Sequence, residues 1–236
     1  MSFLAVSCRF FANPAGNCYR CAQEKINKET DVSTSSFLDN IYSVDGGDDM
    51  RRYYDDWAES YDSDLHDSDY RTPRRAAEAL AAYLPDRDAP VLDFACGTGL
   101  SGEALHAAGF TAVDGTDISQ GMLDKARTKG VYRELWRMSA DRPLDTGGRH
   151  YRAITAVGAI GAGAAPVESI DAAIDNLEPG GIFVVSLNDH TLEDPQFEAR
   201  LNAAIADGRV EKLMAEDGPH LPEIGLGARV WAVRRL

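Results

Sequence analysis

The sequence predicts a doubly wound, mostly parallel α/β sheet of seven strands with an antiparallel edge hairpin. From Val91 onward, short apolar runs alternate with helical patterns. The expected strand ends carry Asp93, Asp117, Asp141, Gly158 and Asn188-Asp189-His190, a set of small and polar residues suited to a ligand site beyond the sheet. Two last strand patterns, Val210 to Met214 and Ala228 to Val233, follow each other without a helix and form the edge pair.

Residues 1–49 differ from the rest. They carry Asn, Ser, Thr and Gly, show no sustained period and end in VDGGDD, Val44 to Asp49. They are expected to be a disordered or loosely attached extension, with one domain over residues 50–236. Met50 is a candidate translation start, which mass spectrometry of the native N-terminus would check. Arg9 and Arg20 without any acid in residues 1–20 are shared with organelle transit segments. The default expectation is a cytoplasmic protein. Cys8, Cys18 and Cys21 lie in this extension and Cys96 beyond it. Tetrahedral zinc needs four ligands, and the pair Cys18-Tyr-Arg-Cys21 lacks a second pair, so no metal site is expected.

Tyr53 to Leu65 is rich in aromatics and acids. Tyr54, Trp57 and Tyr61 share one helical face, either packed on the core or closing over a ligand. Thr72 and Pro73 open a helix Arg74 to Leu84, stopped by Pro85. Arg71, Arg74 and Arg75 form a solvated face. Val91 to Phe94 is a buried strand, and Leu100, Ala104, Leu105 and Ala108 set the next helix, ended by Gly109. Thr111 to Thr116 is the second strand, and Ser119 caps the helix Gln120 to Thr128. Further strands are expected over Tyr132 to Met138, Ala153 to Val157 and Ile182 to Leu187, the last after the turn Glu178 to Gly181. Helices Val167 to Leu177 and Phe197 to Ala206 flank it, and Ala215 to Gly227 reads as a long loop.

The net charge of −14 repels phosphates and no basic stripe offsets it, so nucleic acid is not the expected partner. No window holds the roughly 18 apolar residues of a membrane span.

Gly97 to Gly102 satisfies GxGxxG, with Asp117 twenty residues after Gly97. By itself this pattern fits a dinucleotide site. Asp93 decides against it. A carboxylate near the end of that strand repels a pyrophosphate on the glycine turn and welcomes an amine-bearing ligand without phosphate.

At this point the chain resembles the class I S-adenosylmethionine-dependent methyltransferases. Val91-Leu92-Asp93-Phe94-Ala95-Cys96-Gly97-Thr98-Gly99 is similar to their first motif. Asp117-Ile118-Ser119, with Gly121-Met122-Leu123 and Ala126, resembles the second, and Asn176 to Gly181 resembles the turn before their fifth strand. Within the class, the nearest group is the methyltransferase-like proteins named for the Williams-Beuren syndrome region. That likeness rests on Trp57, Tyr61-Asp62, Gly99 to Phe110, Val131-Tyr132 and Val157 to Ala159.

The resemblance covers about residues 53–236 and implies a Rossmann-like fold, S-adenosyl-L-methionine as cofactor and a small-molecule methyl acceptor. Asp93 would face the methionine ammonium, directly or through water. Ala95, Gly97 and Gly99 would let the backbone approach the ligand, and Asp117 would accept both ribose hydroxyls. Ile118 would pack on the adenine, Asp141 would receive its amino group with Ala140 alongside, and Val157 and Gly158 would line the methionine end. Tyr61 would close over the cofactor's carboxylate.

In that subgroup a histidine is expected soon after Gly158, whereas this chain has Ala159-Ile160-Gly161-Ala162-Gly163-Ala164. Positioning a nucleophile in line with an activated methyl can suffice without a base. If a base is used, His190 is the candidate and His220 a weaker one. A non-catalytic S-adenosylmethionine-binding protein and a nicotinamide-dependent oxidoreductase stand as alternatives.

Overall fold

The computed structural model describes Val44, residues 47–161 and residues 164–236. Most of the expected extension, with Cys8, Cys18, Cys21 and the transit-like segment, lies outside the described residues. Helix α1 is Asp48–Trp57, so ordered helix begins two residues before Met50. A separate α2, Tyr61–Asp67, follows, then α3, Thr72–Tyr83. The core unit is β1 Val91–Phe94, α4 Leu100–Ala107, β2 Val113–Asp117, α5 Gln120–Lys129, β3 Leu135–Arg137 and β4 Tyr151–Ala156. The rest is α6 Glu168–Asp175, β5 Leu177–Asn188, α7 Asp189–Leu192, α8 Gln196–Ala206, β6 Val210–Leu221 and β7 Leu226–Arg235.

The seven strands run β3-β2-β1-β4-β5-β7-β6. All neighbours are parallel except β7, which is antiparallel to β5 and β6. The chain works outward from β1 to β3, then returns to the other side at β4. That reversal opens a crevice beyond the carboxyl ends of β1, β2 and β4. The alternation of side chains along β1 feeds two cores. Val91 packs with Leu80, Leu84 and Leu105 on one face, whereas Leu92 and Phe94 pack with Ile170, Ile174 and Leu201 on the other.

Several elements differ from their sequence patterns for identifiable reasons. The expected turn Glu178 to Gly181 is a bulge inside β5, where the pairing jumps from Tyr151↔Leu177 to Ala153↔Ile182 and Gly180 takes φ 75°. The expected loop Ala215 to Gly227 is mostly strand. Its polar residues sit on an edge, where Asp217 lies opposite Arg229 and accepts from it at 2.7 and 2.8 Å. Only Pro222–Ile224, a single 3₁₀ turn, breaks the ribbon. Thr72 is the first residue of α3 and does not cap it, because its hydroxyl is 2.8 Å from His220 Nδ1. Arg75 leaves the expected solvated face and donates to the Glu216, Pro219 and Ala228 carbonyls of the β6–β7 ribbon. The third strand is shortened at its start because Tyr132 turns inward, behind the glycine turn.

Candidate functional site

A cavity of about 330 Å³ opens at the crevice. Its floor is the turn after β1, where Ala95, Gly97 and Gly99 have φ of 52°, 55° and 95°. Ala95 holds this left-handed conformation with a Cβ, at a cost of about 1 kcal/mol. The Cys96 N–H donates to the Thr116 carbonyl at 3.0 Å and anchors the turn on β2.

Asp117 closes the loop of contacts. Its Oδ2 accepts the Gly97 N–H at 2.9 Å and its Oδ1 the Ser119 N–H at 2.9 Å. Burial pushes its carboxyl up to about 6, although the N–H groups of Ser119, Gly97 and Ile118 pull it down. Ser119 caps α5 as its sequence position predicts, accepting the Met122 N–H at 3.0 Å. Asp55 of α1 adds a second cap from outside the element. Its Oδ1 accepts the Ser119 hydroxyl at 2.6 Å and the Gly121 N–H at 3.1 Å. Burial raises the Asp55 carboxyl, but these bonds and Arg51 hold it below its usual range.

Helices α1 and α2 form one wall. Trp57 is 3% exposed, stacks on Tyr54 and meets Tyr61 edge-on at 4.6 Å between ring centroids. Tyr54 and Tyr61 also line the cavity, so the aromatic face both packs on the core and borders the site. Burial, then Tyr70, Asp117 and Asp62, raise the Tyr61 phenol well above its ordinary value. Asp62 accepts from the Thr98 hydroxyl and pairs with Lys129 at 2.9 Å, which ties α2 to the glycine turn.

Of the residues singled out in the sequence, Tyr61, Ala95, Gly97, Asp117, Ile118, Ala140 and Val157 line this cavity together. Four do not. Asp93 is 0% exposed and lies behind the turn, bonded to Ser101, Tyr132 and Thr155. Gly99 faces the Tyr132 ring, and Asp141 is exposed. His190 is exposed on α7, with Glu193 3.9 Å away. His220 is 6% exposed, bonded to Thr72, and absent from the lining.

The structure adds residues that sequence patterns passed over. Met50, Tyr70, Met122, Met138 and Arg142 line the cavity, with Ala164, Ala165 and Pro166 beside Gly158 and Ala159. Tyr70 had a positional signal, since it directly precedes the Arg71-Thr72-Pro73 start of α3. Its hydroxyl lies 2.8 Å from where a Cβ on Gly158 would sit. Arg142 is the one cation among the described lining residues. The third glycine of GxGxxG also finds a different reason. A Cβ on Gly102 would sit 2.3 Å from the Tyr132 ring, so this glycine makes room for a side chain and not for a phosphate. Among the described residues, no group of three or more His, Cys, Asp or Glu is placed to hold a metal ion. No helix of these residues is long and apolar enough to cross a membrane.

Comparison with known proteins agrees with this geometry. Residues 66–220 match the model of a methyltransferase domain. Methyltransferase-like protein 27 of Homo sapiens is 34% identical over 156 residues, 65% of this chain and 63% of that protein's length. The magnesium protoporphyrin IX methyltransferase of Synechocystis PCC 6803, solved with bound SAH, superposes with TM-score 0.54 at 16% identity, over 80% of this chain and 100% of its own. A chain from the complex of the Haloferax volcanii Trm112 methyltransferase activator with a methyltransferase gives TM-score 0.56 at 19% identity, covering 77% and 96%. The cyclase SpnF gives 0.52 at 16% identity, covering 69% and 80%. These structures share the fold, which by itself does not choose a reaction. The family model covers more than half of the sequence, and the chain belongs to the methyltransferase domain family.

Proposed function

We propose that this domain binds S-adenosyl-L-methionine in the cavity and catalyses transfer of its methyl group to a small molecule. The observation that carries this is Asp117. It is a buried carboxylate with both oxygens held by backbone N–H groups, presented to a cavity floored by a glycine turn. Each oxygen keeps a lone pair for one ribose hydroxyl.

The residues present fit the cofactor. A Cβ on Gly97 would meet nothing within 4 Å, so that side of the turn is open to a ligand. Ile118 and Met138 offer apolar faces to an adenine, with Ala140 alongside. Tyr61 and the small residues Val157 and Gly158 border the amino-acid end. When bound, the cofactor supplies an electrophilic methyl on a sulfonium. The chain's own task is to hold an acceptor in line with it and exclude water. With Arg142 as the one cation among the described lining residues and Asp117 in the site, a pyrophosphate is poorly matched, which argues against a nicotinamide cofactor.

The wall Gly158, Ala159, Ala164, Ala165, Pro166 brings no acid or base, which supports positioning as the means of catalysis. The same wall favours, as a second reading, a protein that binds the cofactor without turnover. The charge of −14 supports a small neutral or cationic acceptor over nucleic acid. A cytoplasmic location goes with this function and is checked by cell fractionation.

Calorimetry with S-adenosylmethionine tests the first half, and absence of binding by folded protein overturns it. Labelled methyl transfer into a metabolite extract, with products identified by mass spectrometry, tests the second. Binding without any labelled product selects the second reading.

A further inference from the structure

A second constellation lies behind the glycine turn, outside the cavity. Asp93 is 0% exposed, and three hydroxyls donate to it. Its Oδ2 accepts from Ser101 at 2.6 Å and from Tyr132 at 2.7 Å, and its Oδ1 from Thr155 at 3.0 Å. The Tyr132 ring is wedged among glycines. An added Cβ would sit 2.3 Å from it at Gly102, 3.0 Å at Gly115 and 3.1 Å at Gly99. Ser101 is in both places at once, lining the cavity while bonded to Asp93.

We propose that Tyr132 is a positioning residue for the cofactor, its hydroxyl acting through Asp93 to fix Ser101 and the Gly97–Gly102 turn. The proposal rests on the reading that the cavity takes S-adenosylmethionine. Tyr132 and Ser101 share one carboxylate oxygen, so the place of one hydroxyl depends on the other. A carboxylate this deeply buried keeps its charge only through its donors. Burial pushes the Asp93 carboxyl up to about 6 even with the hydroxyls of Ser101, Tyr132 and Thr155 holding it down. Without the phenol hydroxyl, Asp93 turns or takes a proton, and either event releases Ser101 from its present bond. Asp93 thereby influences the ligand from behind the turn, without touching it.

Tyr132→Phe keeps the wedge between the glycines and removes only the hydroxyl. The control is Tyr151→Phe, which deletes the same chemistry elsewhere in the sheet, a phenol donating to Asp114 at 3.0 Å, away from the cavity lining. The probe is S-adenosylhomocysteine measured by calorimetry, with amide hydrogen exchange over Gly97–Gly102 in the ligand-free protein. Tyr132→Phe is expected to weaken binding roughly tenfold and speed exchange at the turn. Tyr151→Phe is expected to lower the unfolding midpoint and leave both readouts as in wild type. Adding Tyr132→Phe to Asp93→Asn is expected to weaken binding no further, because the phenol acts only through Asp93. Unchanged affinity and unchanged exchange in Tyr132→Phe overturn the proposal. If wild type does not bind the probe, the cofactor reading falls, and the exchange comparison alone still decides whether Tyr132 fixes the turn. If Tyr132→Phe does not fold, Ser101→Ala breaks the same link from its cavity end, and wild-type exchange at the turn in that variant overturns the proposal.

Discussion

Asp117 Oδ2 accepts the Gly97 N–H at 2.9 Å, so the acid at the end of β2 and the turn after β1 are one mechanical unit. Asp117→Asn keeps the size but can turn an NH₂ toward the Gly97 or Ser119 N–H, both of which are donors. Its affinity for S-adenosylhomocysteine is expected to fall by roughly tenfold or more, and that of Asp117→Ala by about a hundredfold. Calorimetry reads both. A wild-type affinity in Asp117→Ala would remove Asp117 from the site.

The same affinity depends on pH with a definite sign. The ionised carboxylate is the form that can accept two hydroxyls, and burial sets Asp117 at about 6. Binding is expected to be flat above pH 7 and to weaken by up to about tenfold per unit as pH falls below 6. Asp93, also at about 6, is electrostatically coupled to Asp117, so the midpoint belongs to the pair. Calorimetry at pH 7.5, 6.5 and 5.5 (all on the protein still folded) checks it, and a rise in affinity on acidification would contradict it.

His220 makes a separate contribution, to stability, that is also lost on acidification. Burial depresses its pKa to about 4, with Arg75 and His190 acting the same way and Asp189 against. The folded state therefore takes up its proton later than the unfolded chain does. The stability it supports is present above pH 6.5 and lost as pH falls toward 4, about 2 kcal/mol of it by pH 5. His220→Asn keeps an acceptor for Thr72 without the titration. Denaturant unfolding at pH 7 and pH 5 should show a smaller acid loss in the variant than in wild type.

Gly158 has φ 63° and no space for a side chain, because a Cβ would meet the Tyr70 hydroxyl at 2.8 Å. Gly158→Ala is expected to cost about 1–2 kcal/mol of stability from backbone strain and to push Tyr70 aside. Gly158 borders the amino-acid end of the cofactor, so S-adenosylhomocysteine affinity and methyl transfer into an extract should both drop. A Tyr70→Phe background should recover part of the loss. Equal affinity and activity in Gly158→Ala and wild type would show that the Gly158–Tyr70 contact has no part in shaping the site.

The parallel half of the fold was readable because its strands are apolar and its turns carry glycines with structural reasons. Asp117 was readable because its distance from Gly97 reflects the one strand and one helix between them. The edge pair was readable too, but its extension through Glu216, Asp217 and His220 was not, since those residues form a strand only when β7 supplies Arg229 and its backbone opposite them. Asp93 was found by its position, but its surroundings depend on Tyr132, 39 residues away, which no local pattern connects to it. Arg142 reaches the cavity through tertiary packing alone.

The family match begins at His66, yet Gly47, Met50, Tyr54 and Tyr61 line the cavity, and Asp55 caps α5 from α1. The segment before the family match is here a wall of the pocket and a clasp on the start of α5. A version that began at His66 would keep every strand and still lack that wall of the pocket. In this protein the family match and the pocket have different first residues.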